Sequence, residues 1–225
     1  MIRCEMRRRV DKKLRQVVEI VSSAPLSCSV ETASGSLWGV LTSNRSYIDK
    51  TYRYVSTEVV SFVVLFAYLD FVSPLQVQPN GPNAIGKSFD QILRGTTSMT
   101  PVNGLQVAKR FEEADRVVLT VAHRMLVPTA GLHLGGNTWI TFSRSETDPA
   151  GACEIHSFMQ LYVEIQPGFS ASPNDMAYFR DAVFEAWSTR MRTYAQRLQG
   201  SMIEAASSAP IGASQLLLVP AQKAS

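Results

Sequence analysis

Between residues 104 and 165 the side chains alternate in their affinity for water, and this constrains the fold more than any other feature of the sequence. Leu105, Val107 and Phe111 alternate with Gln106, Ala108 and Arg110. In DRVVLTVAHRML, Val117, Leu119, Val121, His123 and Met125 share one parity. In HLGGNTWITFSRS, Ile140, Phe142 and Arg144 fall on one side, and Trp139, Thr141 and Ser143 on the other. In ACEIHSFMQLYVEIQPG, Ile155, Met159, Leu161, Val163 and Ile165 oppose Glu154, His156, Gln160 and Glu164. A period of two is that of a strand with one face buried. Pro128 to Gly131 and ETDPAG are turn sequences between these runs. The segment therefore reads as an antiparallel meander with one dry face and one wet face.

Helical spacing appears on both flanks. Met6, Val10, Leu14, Val17 and Val21 repeat every three or four residues. This predicts a basic amphipathic helix over residues 1–24, ended by Pro25. In SVETASGSLWGVLTS, Ser29 is the expected N-cap, Glu31 lies in the first turn, and Val30, Ala33, Leu37, Trp38 and Leu41 form a stripe. SFDQILRG is ambiguous between helix and strand. After Ser172-Pro173-Asn174-Asp175, a helix start, Met176, Phe179, Val183, Trp187, Met191, Tyr194, Leu198 and Met202 form a stripe. This predicts a long helix over about 173–205, followed by a disordered tail at 205–225.

The order of these elements resembles the START-like, helix-grip architecture of the lipid-transfer domains related to the steroidogenic acute regulatory protein. The resemblance rests on FEEADRVVLTVAHRMLVP, NTWITFSRS, EIHSFMQLYVEIQPG and PNDMAYFRDAVFEAW, with SVETASGSLWGVLTS as the short Trp-bearing helix before the sheet. It is most similar to the divergent oomycete type, in which a "DRVV" strand is typical. It implies an α+β fold: a curved antiparallel sheet wrapped around a long C-terminal helix, with the domain spanning 28–204. It also implies a pocket for a lipid or other small apolar ligand. The walls of such a pocket would be Val121, His123, Met125, Ile140, Phe142, Met159, Leu161 and Val163 from the sheet, and Phe179, Val183 and Trp187 from the helix. Arg144 shares the parity of Ile140 and Phe142, so it is expected at the pocket rim or inside it.

Within that resemblance residues 55–76 are an apolar insertion. The run from Val59 is interrupted by Asp70 and closed by Pro74, and its uncharged part is shorter than the ~20 residues of a membrane span. A buried element, a membrane-associating segment and a translated intron all remain open readings of it.

No catalytic or metal-binding constellation is expected. His123 lies on the dry parity and His156 on the wet one, and the cysteines, Cys4, Cys28 and Cys153, show no ligand spacing. Three unpaired cysteines, no apolar leader and a mean hydropathy near zero fit a cytoplasmic, reducing compartment. Arg3, Arg7, Arg8, Arg9, Lys12, Lys13 and Arg15 crowd the N-terminus. They offer peripheral contact with an anionic membrane, and no nucleic-acid partner is expected. The expected function is non-catalytic binding of an apolar ligand without a cofactor. The alternative is a regulatory or protein-interaction module whose pocket is filled by its own side chains.

Overall fold

The computed structural model describes residues 3–12, 15–43, 50–56, 83–94, 99–127 and 132–165. Between 184 and 204 it describes residues 184, 185, 187–189, 191–193, 195, 196, 199, 200, 203 and 204. The elements are β1 (Arg3–Asp11), β2 (Arg15–Leu26), α1 (Val30–Thr42), β3 (Lys50–Ser56), β4 (Ala84–Arg94), β5 (Met99–Glu112), β6 (Arg116–Val127), β7 (Leu132–Arg144) and β8 (Cys153–Ile165). All eight strands join one sheet in the order β1-β2-β8-β7-β6-β5-β4-β3, and each neighbouring pair is antiparallel.

The expected meander is present as β5 to β8. The expectation of an α+β helix grip is corrected. The described architecture is predominantly an antiparallel sheet with a single defined helix of 13 residues, and no long C-terminal helix element is defined. The four expected strands have become eight because segments read as helix, read as ambiguous or left unassigned also pair into the sheet. The described residues from 184 to 204 are in helical turns, and Phe184 and Trp187 are buried among side chains of the sheet. Residues 57–82 and 166–183 lie outside the described residues, and so do most of the 55–76 insertion, Phe179, Val183 and the tail.

The basic N-terminal helix is also corrected: residues 3–26 form the β1–β2 hairpin. Met6 and Val10 are four apart, an even number, so they share a face of a strand as readily as of a helix. Val17, Val18, Ile20 and Val21 are β-branched and favour the extended state. Pro25 lies two residues beyond Ser23, the last residue of β2 paired with β1 among the described residues. The arginines of β1 are partly neutralised. Arg7 and Arg9 both reach Glu19, at 2.8 and 3.3 Å, and Arg8 pairs with Glu185.

α1 forms where the sequence predicts it. The Ser29 side chain accepts a hydrogen bond from the Thr32 amide, and Glu31 sits at the positive end of the helix dipole. Its buried side, Val30, Ala33 and Leu37, packs on Val117, Leu119, Ile140, Phe142 and Ile155 of the sheet. A separate cluster, Val18, Ile20, Phe89, Met125, Leu134, Leu161, Phe184 and Trp187 among its members, fills the other end of the same face.

Candidate functional site

The register of the strands places side chains of this inner face in rows. At the level of His123 the Cα partners run Lys87, Gln106, His123, Gly136, Leu161, Val18. The next row runs Ile85, Ala108, Val121, Thr138, Met159, Ile20. Half of the first row is hydrogen-bonding, although it lies on the face that buries both cores.

Two glycines shape this region. A Cβ on Gly136 would stand 2.4 Å from His123 Nε2, and one on Gly104 would stand 2.2 Å from the Phe89 ring. Without those Cβ atoms, the imidazole and the phenyl ring extend across the neighbouring strand. The His123 imidazole also meets Trp187 edge to face, with ring centroids 5.4 Å apart.

Val121 and Thr138 belong to neither apolar cluster. Val121 and His123 are only half-buried, although Leu119 and Met125, which precede and follow them on the same face of β6, are 0% and 1% exposed. Among the described residues Val121 and His123 thus form a partly exposed stretch of the inner face, a mid-sheet gap in burial between Leu119 and Met125.

Donors border that gap. The Lys87 side chain is 1% exposed, its ammonium donates to the Ser43 carbonyl just past α1, and burial lowers its pKa. Gln106 is buried between Lys87 and His123. Arg110 pairs with Glu112 at 3.0 Å through one terminal nitrogen. Among the described residues nothing accepts from its buried Nε. At the level of Ile140, the Ser22 and Ser157 hydroxyls lie 2.5 Å apart, and Gln199 donates to Ser22 at 2.9 Å. An unmatched buried donor is costly, so a hydrogen-bond acceptor beside the Arg110 Nε would be stabilised.

The sequence-expected site residues divide among several places. Val121 and His123 border the gap, with Met159 beside it. Met125, Leu161 and Trp187 are interior members of the first cluster, and Val163 packs against it. Ile140 and Phe142 belong to the second cluster under α1. Arg144, expected at the rim or inside, is exposed at the end of β7 and pairs with Glu31 at 3.5 Å. Hydrogen bonds from its own backbone N–H and from Ser29, and after them the Arg144 cation, hold Glu31 below the usual carboxylate pKa.

Sequence reasoning missed Lys87, Gln106 and Arg110. It placed Leu105, Val107 and Phe111 on the dry face of β5, but pairing with β6 puts Gln106 opposite His123 and Ala108 opposite Val121, so the even residues face inward. Phe111 is 42% exposed and Ala108 1%. Lys87 could have been found from Ile85 and Phe89, two residues to either side of it, which give β4 a period of two.

Among the described residues no group of three or more His, Cys, Asp or Glu side chains is placed to hold a metal ion. No helix among them is long and apolar enough to cross a membrane. No known family profile matches the chain, and no curated protein matches it. Among solved structures, CalU16 from Micromonospora echinospora aligns over 92% of this chain and 96% of its own, at 9% identity and a TM-score of 0.28. At that score the overlap carries no argument about fold or function.

Proposed function

We propose that the protein binds, without catalysis, an apolar small molecule that ends in a carboxylate. The apolar body lies in the mid-sheet gap against Val121, Ala108 and Met159, and the carboxylate meets Lys87, Gln106 and His123, which share one row of the register. One observation carries the reading: Lys87, Gln106 and His123, three hydrogen-bonding side chains in one row of the register, interrupt an apolar face. Ligand sites commonly combine apolar walls with a few convergent polar groups.

The test is titration with a fluorescent polyene carboxylic acid and with its methyl ester. The acid binds saturably at one site, and the ester binds about tenfold more weakly, the ~1.4 kcal/mol expected of a charge-assisted hydrogen bond. Lys87→Met abolishes the preference for the acid. Equal binding of acid and ester by the parent protein rejects the role of the donor row. Failure of both to bind, with the protein folded, removes the gap as a ligand site and favours the interaction-module reading.

A further inference from the structure

Cys28 and Cys153, distant in sequence, meet at one end of the sheet. Cys153 opens β8 opposite Leu26, the last residue of β2. The chain then turns through Ser27 toward the N-cap of α1 and brings Cys28 onto Cys153. The two thiols are near enough for each to shift the titration of the other. Cys153 is 1% exposed in the cluster under α1, whereas Cys28 is half-buried at its edge. Cys4 packs on the other cluster.

We infer that Cys28 and Cys153 are a site of covalent modification, a dithiol that a peroxide converts into a disulfide. Cys28 is the attacking group because it is the more exposed. Its thiolate attacks one peroxide oxygen, the O–O bond breaks, and the departing hydroxide takes a proton to leave as water. Cys28 is then a sulfenic acid. Cys153 gives up its proton and attacks the Cys28 sulfur, the S–O bond breaks, and a second water leaves. The two thiols are oxidised by two electrons, and the peroxide is reduced to two waters.

The environment sets the speed of this chemistry. Burial raises both thiols above their ordinary pKa, Cys153 to about 12, while the neighbouring Cys153 thiol draws Cys28 part of the way back. The thiolate is the reacting form, so oxidation is slow near neutrality and accelerates as pH rises. The product ties the start of α1 to the start of β8 and closes a long loop, the case in which a cross-link most restricts the unfolded chain.

The experiment exposes the folded, full-length protein to hydrogen peroxide, removes the oxidant, unfolds the protein, alkylates free thiols and digests it without reductant. Mass spectrometry then shows one cross-linked peptide containing Cys28 and Cys153, with Cys4 alkylated. The oxidised protein melts at a higher temperature than the reduced one. Cys28→Ser loses both the cross-link and the shift, and Cys4→Ser keeps both. The inference is overturned if Cys28 and Cys153 both remain alkylatable after oxidation, if the bond forms only in denaturant, or if it involves Cys4. None of these outcomes depends on ligand binding at mid-sheet.

Discussion

His133 shows how much one side chain depends on the parity of its strand. It sits on the face of β7 opposite the apolar clusters, yet it is only 8% exposed. Burial, and then the positive charge of Arg124, lower its pKa below 6.5. Arg124 itself pairs with Glu164 at 2.8 Å. A histidine whose pKa is depressed by folding binds its proton more readily in the unfolded chain. Its contribution to stability is therefore complete above pH 6.5 and declines as pH falls from there through the folded-state value. Urea melts between pH 7.5 and about pH 5 should show this decline in the parent, and His133→Gln should flatten it; parallel curves for the two proteins would assign the acid sensitivity elsewhere. Gly136 poses the complementary problem of space. Gly136→Ala puts a methyl group into the His123 imidazole, displacing the ring or straining the strand at a cost of about 1–3 kcal/mol. Denaturant melts measure that cost, and the acid-over-ester preference of the mid-sheet gap should fall in the same variant.

At the scale of elements, α1 was legible because its signal is chemical as well as periodic. Ser29, Glu31 and the apolar stripe all point to the same start and the same buried side. Ser29→Ala removes the hydrogen bond accepted from the Thr32 amide and should lower stability by about 1 kcal/mol, read from denaturant melts; no change would mean that water replaces the cap without loss. The N-terminal hairpin was illegible for a specific reason. Spacings of four fit either a helix face or a strand face, and the choice was settled by pairing with β8, a partner more than a hundred residues away in the chain. β5 failed differently: its alternation was recognised but assigned to the wrong side, because Phe111 and Leu105 are larger than Ala108. Parity in a sheet is fixed by the register with the neighbour, and a neighbour's register is not written in the strand's own residues. The same error hid the site. Val121 and His123 were found from β6, whereas Lys87, Gln106 and Arg110 lie on the two strands whose identity or facing the sequence left undecided.

At the scale of the whole molecule, one sheet carries two apolar clusters, and this division yields an energetic expectation. Trp187 is 1% exposed in the first cluster, and Leu37, also 1% exposed, anchors α1 in the second. Trp187→Ala should cost about 3–5 kcal/mol and Leu37→Ala about 2–5 kcal/mol, since each leaves a void in a packed interior. If the mid-sheet gap separates the clusters mechanically, the double variant loses the sum of the two within about 0.5 kcal/mol. Trp187 and His123 are the contrasting pair. Their rings touch across the edge of that gap, so their alanine variants should be non-additive by about 0.5–1.5 kcal/mol, as for an edge-to-face aromatic contact. Equilibrium melts of the two double-mutant cycles decide the matter. Strong coupling between Trp187 and Leu37 would mean that the cores respond as one body, with no separate space between them for a ligand. Additivity there, together with coupling between Trp187 and His123, would locate the boundary of the first core at the imidazole that borders the gap.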